Sequence, residues 1–201
     1  MTGNLVLLGI AIGQGQLVGA VRSMTAFAAF ILGVLIGVRV TAKSVPATTW
    51  PVSVTVVLLG ELGLLLVLLA GWEIATGRPG PLALDIMIAL SAASMGMQTA
   101  AARRLGVEAV TTTFVTGMLT GLIAELAGAR PGRSHWTLWA ATLACMVIGA
   151  AAGVAVFLAW RPGAPLVASL LVATVIAAAT WLRRAGNRGT RASPASRTIN
   201  G

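Results

Sequence analysis

Two stretches of this chain, Trp136 to Trp160 and Gly163 to Leu182, contain no Asp, Glu, Lys or Arg. At about 1.5 Å per residue, a helix over either is long enough to cross a hydrocarbon core of roughly 30 Å. Lipid offers the backbone no hydrogen-bond partner, so such runs must pair their own amides and carbonyls as helices. Three further segments follow the same pattern. Pro51 to Trp72 is broken only by Glu61, Met24 to Val40 is uncharged until Arg39, and Pro81 to Ala102 carries Asp85 near its start. Thr2 to Gly13 is apolar but too short to cross, and Val107 to Gly128 is threonine-rich with Glu108 and Glu125 towards its ends; both read as membrane-embedded helices. A chain of 201 residues that is 57% hydrophobic and 9% charged, with a mean hydropathy of +0.92, fits no soluble class. The predicted fold class is all-α: a polytopic transmembrane helix bundle of about six to seven membrane helices.

The tryptophans agree with these boundaries. Trp50, Trp72, Trp136, Trp139, Trp160 and Trp181 all fall at or within a turn of a span end, where an amphipathic ring prefers the headgroup region. The net charge of +9 does not mark a nucleic-acid binder, because the basic residues stand singly or in pairs between apolar runs. They read as topology determinants. With seven crossings, Arg22, Arg78, Arg130, Arg133, Arg183, Arg184, Arg188, Arg191 and Arg197 share one side, against Arg39, Lys43, Arg103, Arg104 and Arg161 on the other, which predicts a cytoplasmic C-terminus. Residues 185–201 form a polar, basic tail expected to be disordered and cytoplasmic.

The chain also repeats. Superposing Val115 on Met1 places Thr116-Gly117-Met118-Leu119 on Thr2-Gly3-Asn4-Leu5, and a slip of two residues places "IGAAAGV" (148–154) on "LGVLIGV" (32–38). Each half thus carries a Gly-x-x-x-Gly pair, Gly33/Gly37 and Gly149/Gly153, the pattern that lets helix backbones approach closely in lipid. This predicts a first repeat over 1–80, N-terminally incomplete, and a second over 81–184. Four spans separate equivalent helices, so the halves are expected to be related by an axis along the membrane normal. The span Pro81 to Ala102 precedes the second Thr-Gly helix and has no counterpart before the first. The spacing therefore predicts either a lost leading helix or a natural start upstream of Met1.

In order along the chain, "MTGNLVLLG", "MGMQTAAARRLG" and "TTTFVTGMLTGL" resemble the YoaK-like family of uncharacterised bacterial integral membrane proteins. The likeness runs from Met1 to about Leu182. It implies a multi-pass protein of the bacterial inner membrane, and it implies that a first membrane helix precedes the Met-Thr-Gly-Asn element. It implies no reaction.

Function is therefore sought among polar groups placed where lipid penalises them. Glu61, midway along a leucine and valine span, is the foremost, since a carboxylate there needs a partner or a wet cavity. Thr2, Asn4, Gln98 and Thr116 complete a candidate path for a small-molecule solute or a proton, because interrupted helices at equivalent repeat positions commonly build transporter sites. Gly3 and Gly117 join Gly33, Gly37, Gly149 and Gly153 as expected helix-packing positions. Cys145 reads as a small buried apolar residue and His135 as an interfacial one, and no metal or cofactor is implied. Neither His-Glu-x-x-His nor Gly-x-Ser-x-Gly occurs, so the reading is not an enzyme. Two functions remain, a small-solute transporter or permease and a non-transporting scaffold or partner-binding protein. A polar cavity reaching Glu61 and Gln98 would favour the first, and a dry bundle the second.

Overall fold

A computed structural model describes residues 2–42, 50–105, 115–127 and 136–191, with no description of side chains over 185–191. Lys43, Gly106, Glu108, Thr111 to Thr113, Arg130, Arg133, His135 and residues 192–201 lie outside the described residues. The chain is an all-helical bundle in the order α1 (Thr2–Gly13), α2 (Leu17–Ala42), α3 (Val52–Ile74), α4 (Pro81–Arg104), α5 (Val115–Leu126), α6 (Trp136–Ala159) and α7 (Ala164–Arg191). Five of these, α2, α3, α4, α6 and α7, are long and apolar enough to cross a membrane. The apolar run of α7 ends at Leu182, but the helix continues to Arg191 and takes up the start of the expected tail.

The least apolar of the five is the central one. In lipid, helices gain little from apolar burial against each other and associate through close packing, so small residues decide which helix sits inside. The segment Ser91-Ala92-Ala93-Ser94 and the glycine at 96 give α4 that property, and Ala92, Ser94, Gly96, Met97, Ala100 and Ala101 are all buried. α2 lies parallel to α4. Arg22 Nε donates to Asp85 Oδ1 at 2.8 Å near the start of both helices, Gly33 abuts Ala93, and Gly37 abuts Met97 and Ala100. A Cβ on Gly33 would run into the Ala93 carbonyl, and one on Gly96 into the Phe30 carbonyl, so the two backbones touch directly.

α3 runs antiparallel to α4, with Gly60 against Met97 and Gly71 against Met87. Its buried residues, Val54, Val57, Leu58 and Glu61, recur at three and four positions and form one stripe. At its end Gly77, at φ 71, donates its amide to the Trp72 carbonyl at 3.0 Å. That left-handed turn faces Arg161, whose Cβ would lie 3.7 Å from a Cβ placed on Gly77, and Trp72 Nε1 donates to the Arg161 carbonyl at 2.9 Å. The α6–α7 turn therefore sits at the same end of the bundle as the α3–α4 turn.

This contact corrects the topology read from sequence. Seven crossings would put Arg161 at the opposite end, but the end of α4 and the start of α6 lie at one face, and the described parts of α1 and α5, 12 residues or about 18 Å each, are shorter than a span. α1 folds back on α2 through a turn at Gly15 (φ 67), with Ala11 against Gly19. α5 packs its Gly121 on Trp139, in the first turn of α6. Hence α2 and α6 run in opposite directions, as do α3 and α7, and the expected parallel relation of the halves is not met. Two further expectations fail for one reason: α6 has no buried residue. Gly149 and Gly153 face open space among the described residues rather than a neighbouring helix, and Cys145 is exposed rather than buried; Gly3, on α1, likewise meets no described neighbour.

Candidate functional site

Six helices converge on a cavity of about 420 Å³, in the size range of small-molecule sites. α1 contributes Asn4, close to its N-terminus, and α2 contributes Ala26. Leu68 and Trp72 come from α3, and Met87, Ile88, Ser91, Ala92 and Met95 from α4. The far wall is Phe157 at the end of α6 with Ala164 and Pro165 at the start of α7. The position follows from helix directions. The ends of α3 and α6 and the starts of α4 and α7 meet at one membrane face, while the half-length α1 carries Asn4 towards the middle of the bundle. The walls are mostly apolar, with Asn4, Ser91 and the Trp72 indole as the polar side chains within them. Ser91 also accepts, through its carbonyl, the hydroxyl of Ser94 at 2.8 Å.

The mouth is held by a small aromatic and cationic group. Trp72 and Phe157 pack with ring centroids 6.4 Å apart at 48°, and the Arg161 guanidinium lies 4.8 Å from the Phe157 ring centroid. Such a cation over a ring is attracted by the ring's negative face.

Of the candidate path residues, Asn4 alone lines this cavity. Thr2 and Thr116 are exposed, and the Thr116 carbonyl accepts the Thr120 hydroxyl at 2.8 Å. Gln98 is exposed on α4, whereas Met97, Ala100 and Ala101 turn inward. Glu61 is 2% exposed, on the buried stripe of α3, and does not line the cavity. It adjoins the stripe of Val54, Val57 and Leu58, which clusters with Met97 and Ala101, and its Oε2 has no hydrogen-bond partner among the described residues. The structure therefore separates the carboxyl group from the polar path proposed for it. Gly33 and Gly37 stand at the α2–α4 contact, and Gly117 is half-buried on α5. Ser91, Trp72, Phe157 and Arg161 were not singled out as site residues. The Trp and Arg signals mark membrane boundaries in any such chain, and the small residues of α4 gave no depth or facing.

The fold and this intramembrane cavity define a multi-pass helical membrane protein. The model of the family described as Protein of unknown function (DUF1275) matches residues 1–179, and the chain belongs to that family. It is similar to UPF0700 transmembrane protein YoaK of Bacillus subtilis (strain 168), at 38% identity over 128 residues. That alignment covers 64% of this chain and 55% of the relative, so the likeness spans little more than half of the relative's length. No solved structure matches.

Proposed function

We propose that the protein is a small-solute transporter or permease of the bacterial inner membrane, built from two inverted repeats over residues 1–80 and 81–184, with its substrate site in the α1–α4, α6 and α7 cavity. The observation that carries this reading is the order of the helices. Each half carries one short helix among the described residues, α1 and α5, and the two long helices that follow it, α2 and α3 in one half and α6 and α7 in the other, run in opposite directions. Inverted repeats with short or broken helices commonly place a substrate site at the repeat interface, and this cavity takes walls from both halves. The apolar lining suits a weakly polar solute, oriented by Asn4 and Ser91.

The same topology supports a cytoplasmic C-terminus. Arg22, Arg78 and Arg161 lie at the cavity end, and Arg22 is partly neutralised by Asp85. Among the described residues, Arg39, Arg103, Arg104, Arg183, Arg184, Arg188 and Arg191 belong to helix ends at the opposite face. An excess of that size is the signature of a cytoplasmic face. A proton accompanying the solute would have Glu61 as its carrier. A second reading, a non-transporting scaffold, is favoured by the burial of Glu61 away from the cavity and by Gln98 facing outward.

Reconstituted protein is expected to accelerate the passage of small weak acids, amines or alcohols across liposomes relative to protein-free vesicles. Met95→Trp, at a 47% exposed position on the cavity wall, is expected to remove that acceleration without loss of folded protein. Flux equal to that of empty vesicles across the whole panel would support the scaffold instead.

A further inference from the structure

We propose that the cavity binds a single-chain amphiphile with an anionic head group, its tail lying between α3, α4 and α6 and its head group held by Arg161. This rests on the cavity being the ligand site and names the class of ligand. The lining of Leu68, Met87, Met95 and Phe157 accepts a hydrocarbon tail. In a bilayer, however, such a tail gains little from exchanging lipid for protein, so a polar group must supply the selectivity.

Arg161 is placed to do so. Its guanidinium rests over Phe157, and its carbonyl accepts from the Trp72 indole, so two residues that line the cavity hold Arg161 beside it. Its charge is not spent within the described residues. Arg22, at the same face, is taken by Asp85, whereas no described carboxylate, Glu73 included, lies within ion-pair distance of Arg161. A guanidinium presents a planar fork of donors that matches a phosphate or carboxylate in two parallel hydrogen bonds. Tail and head group thus have complementary places one helical turn apart on α6 and the turn that follows it.

The test uses the full chain in discs of uncharged phosphatidylcholine, with dodecyl phosphate, dodecanol and dodecyltrimethylammonium as probes and calorimetric titration as the readout. Dodecyl phosphate is expected to bind saturably and at least tenfold more tightly than the other two. Arg161→Gln should remove that tenfold advantage and leave dodecanol unchanged, Arg78→Gln should leave the advantage intact, and Met95→Trp should abolish binding of all three. Competition by phosphatidylglycerol added to the disc would make a membrane lipid the source of the head group; its failure to compete would make the source a free amphiphile, and the chemistry stands in both cases. Equal affinity for the three probes, or equal losses from Arg161→Gln and Arg78→Gln, overturns the head-group assignment and leaves the cavity as a ligand site. No saturable binding, or binding indifferent to Met95→Trp, overturns both.

Discussion

Replacing Gly33 with leucine is expected to lower the stability of the detergent-solubilised protein by about 2–3 kcal/mol or more, at the upper end of what overpacking usually costs. The reason is that the atom met by a new side chain is not another flexible side chain but the backbone carbonyl of Ala93. On the other helix Gly96 faces the Phe30 carbonyl in the same way, so α2 and α4 would have to part along the closest contact in the bundle. Gly149→Leu supplies the control. That glycine occupies the equivalent place in the second half, faces open space, and is expected to change stability by no more than about 0.5 kcal/mol. Thermal unfolding followed by tryptophan fluorescence checks both. Equal losses at the two positions would mean that the α2–α4 seam is not the principal packing surface.

Glu61→Lys is expected to have an effect at least as large. The cost of a cation near the centre of a membrane helix is about 3 kcal/mol, and Glu61 is buried on the α3 stripe of Val54, Val57 and Leu58 and does not line the cavity. Loss of monodisperse protein after extraction is the expected result. Glu61→Leu should retain or raise stability, because it replaces a carboxyl oxygen without a described partner by apolar surface of similar volume. Wild-type behaviour of the Lys variant would show that water reaches this position. Glu61→Gln separates the two functional readings. It keeps the shape of the side chain, so a loss of transport with unchanged stability identifies a proton or cation carrier, and undiminished transport identifies a packing residue.

The parts of this account legible in the sequence are those that lipid itself dictates. A run such as Trp136 to Trp160 has no alternative to a helix, and Glu61 reads as turned away from lipid because a carboxyl group midway along a leucine and valine span needs a partner or a cavity. Hydropathy gives depth, however, and not rotation about the helix axis, so Gln98 looked equivalent to Glu61 although it turns outward from α4. Small-residue spacing shows that a close approach is allowed without naming the partner. Gly33 and Gly37 meet α4, while Gly149 and Gly153, with the same spacing, meet nothing described. The largest difference lies in the number of crossings. Val107 to Gly128 is apolar enough to count as a crossing, yet the end of α4 and the start of α6 lie at one face, and one crossing fewer reverses the direction of every helix after it. The cavity was not legible, since it is made by the meeting of six helix segments distant in sequence.

That reversal is the central claim, and cysteine accessibility in intact cells tests it most directly. In a Cys145→Ser background, single cysteines at Lys43 and Arg161 would be treated with a membrane-impermeant maleimide before and after permeabilisation. The inverted arrangement predicts that Arg161→Cys reacts from outside the cell while Lys43→Cys reacts only once the membrane is opened. Labelling of both positions from the same side would contradict it, and would restore seven crossings with parallel halves.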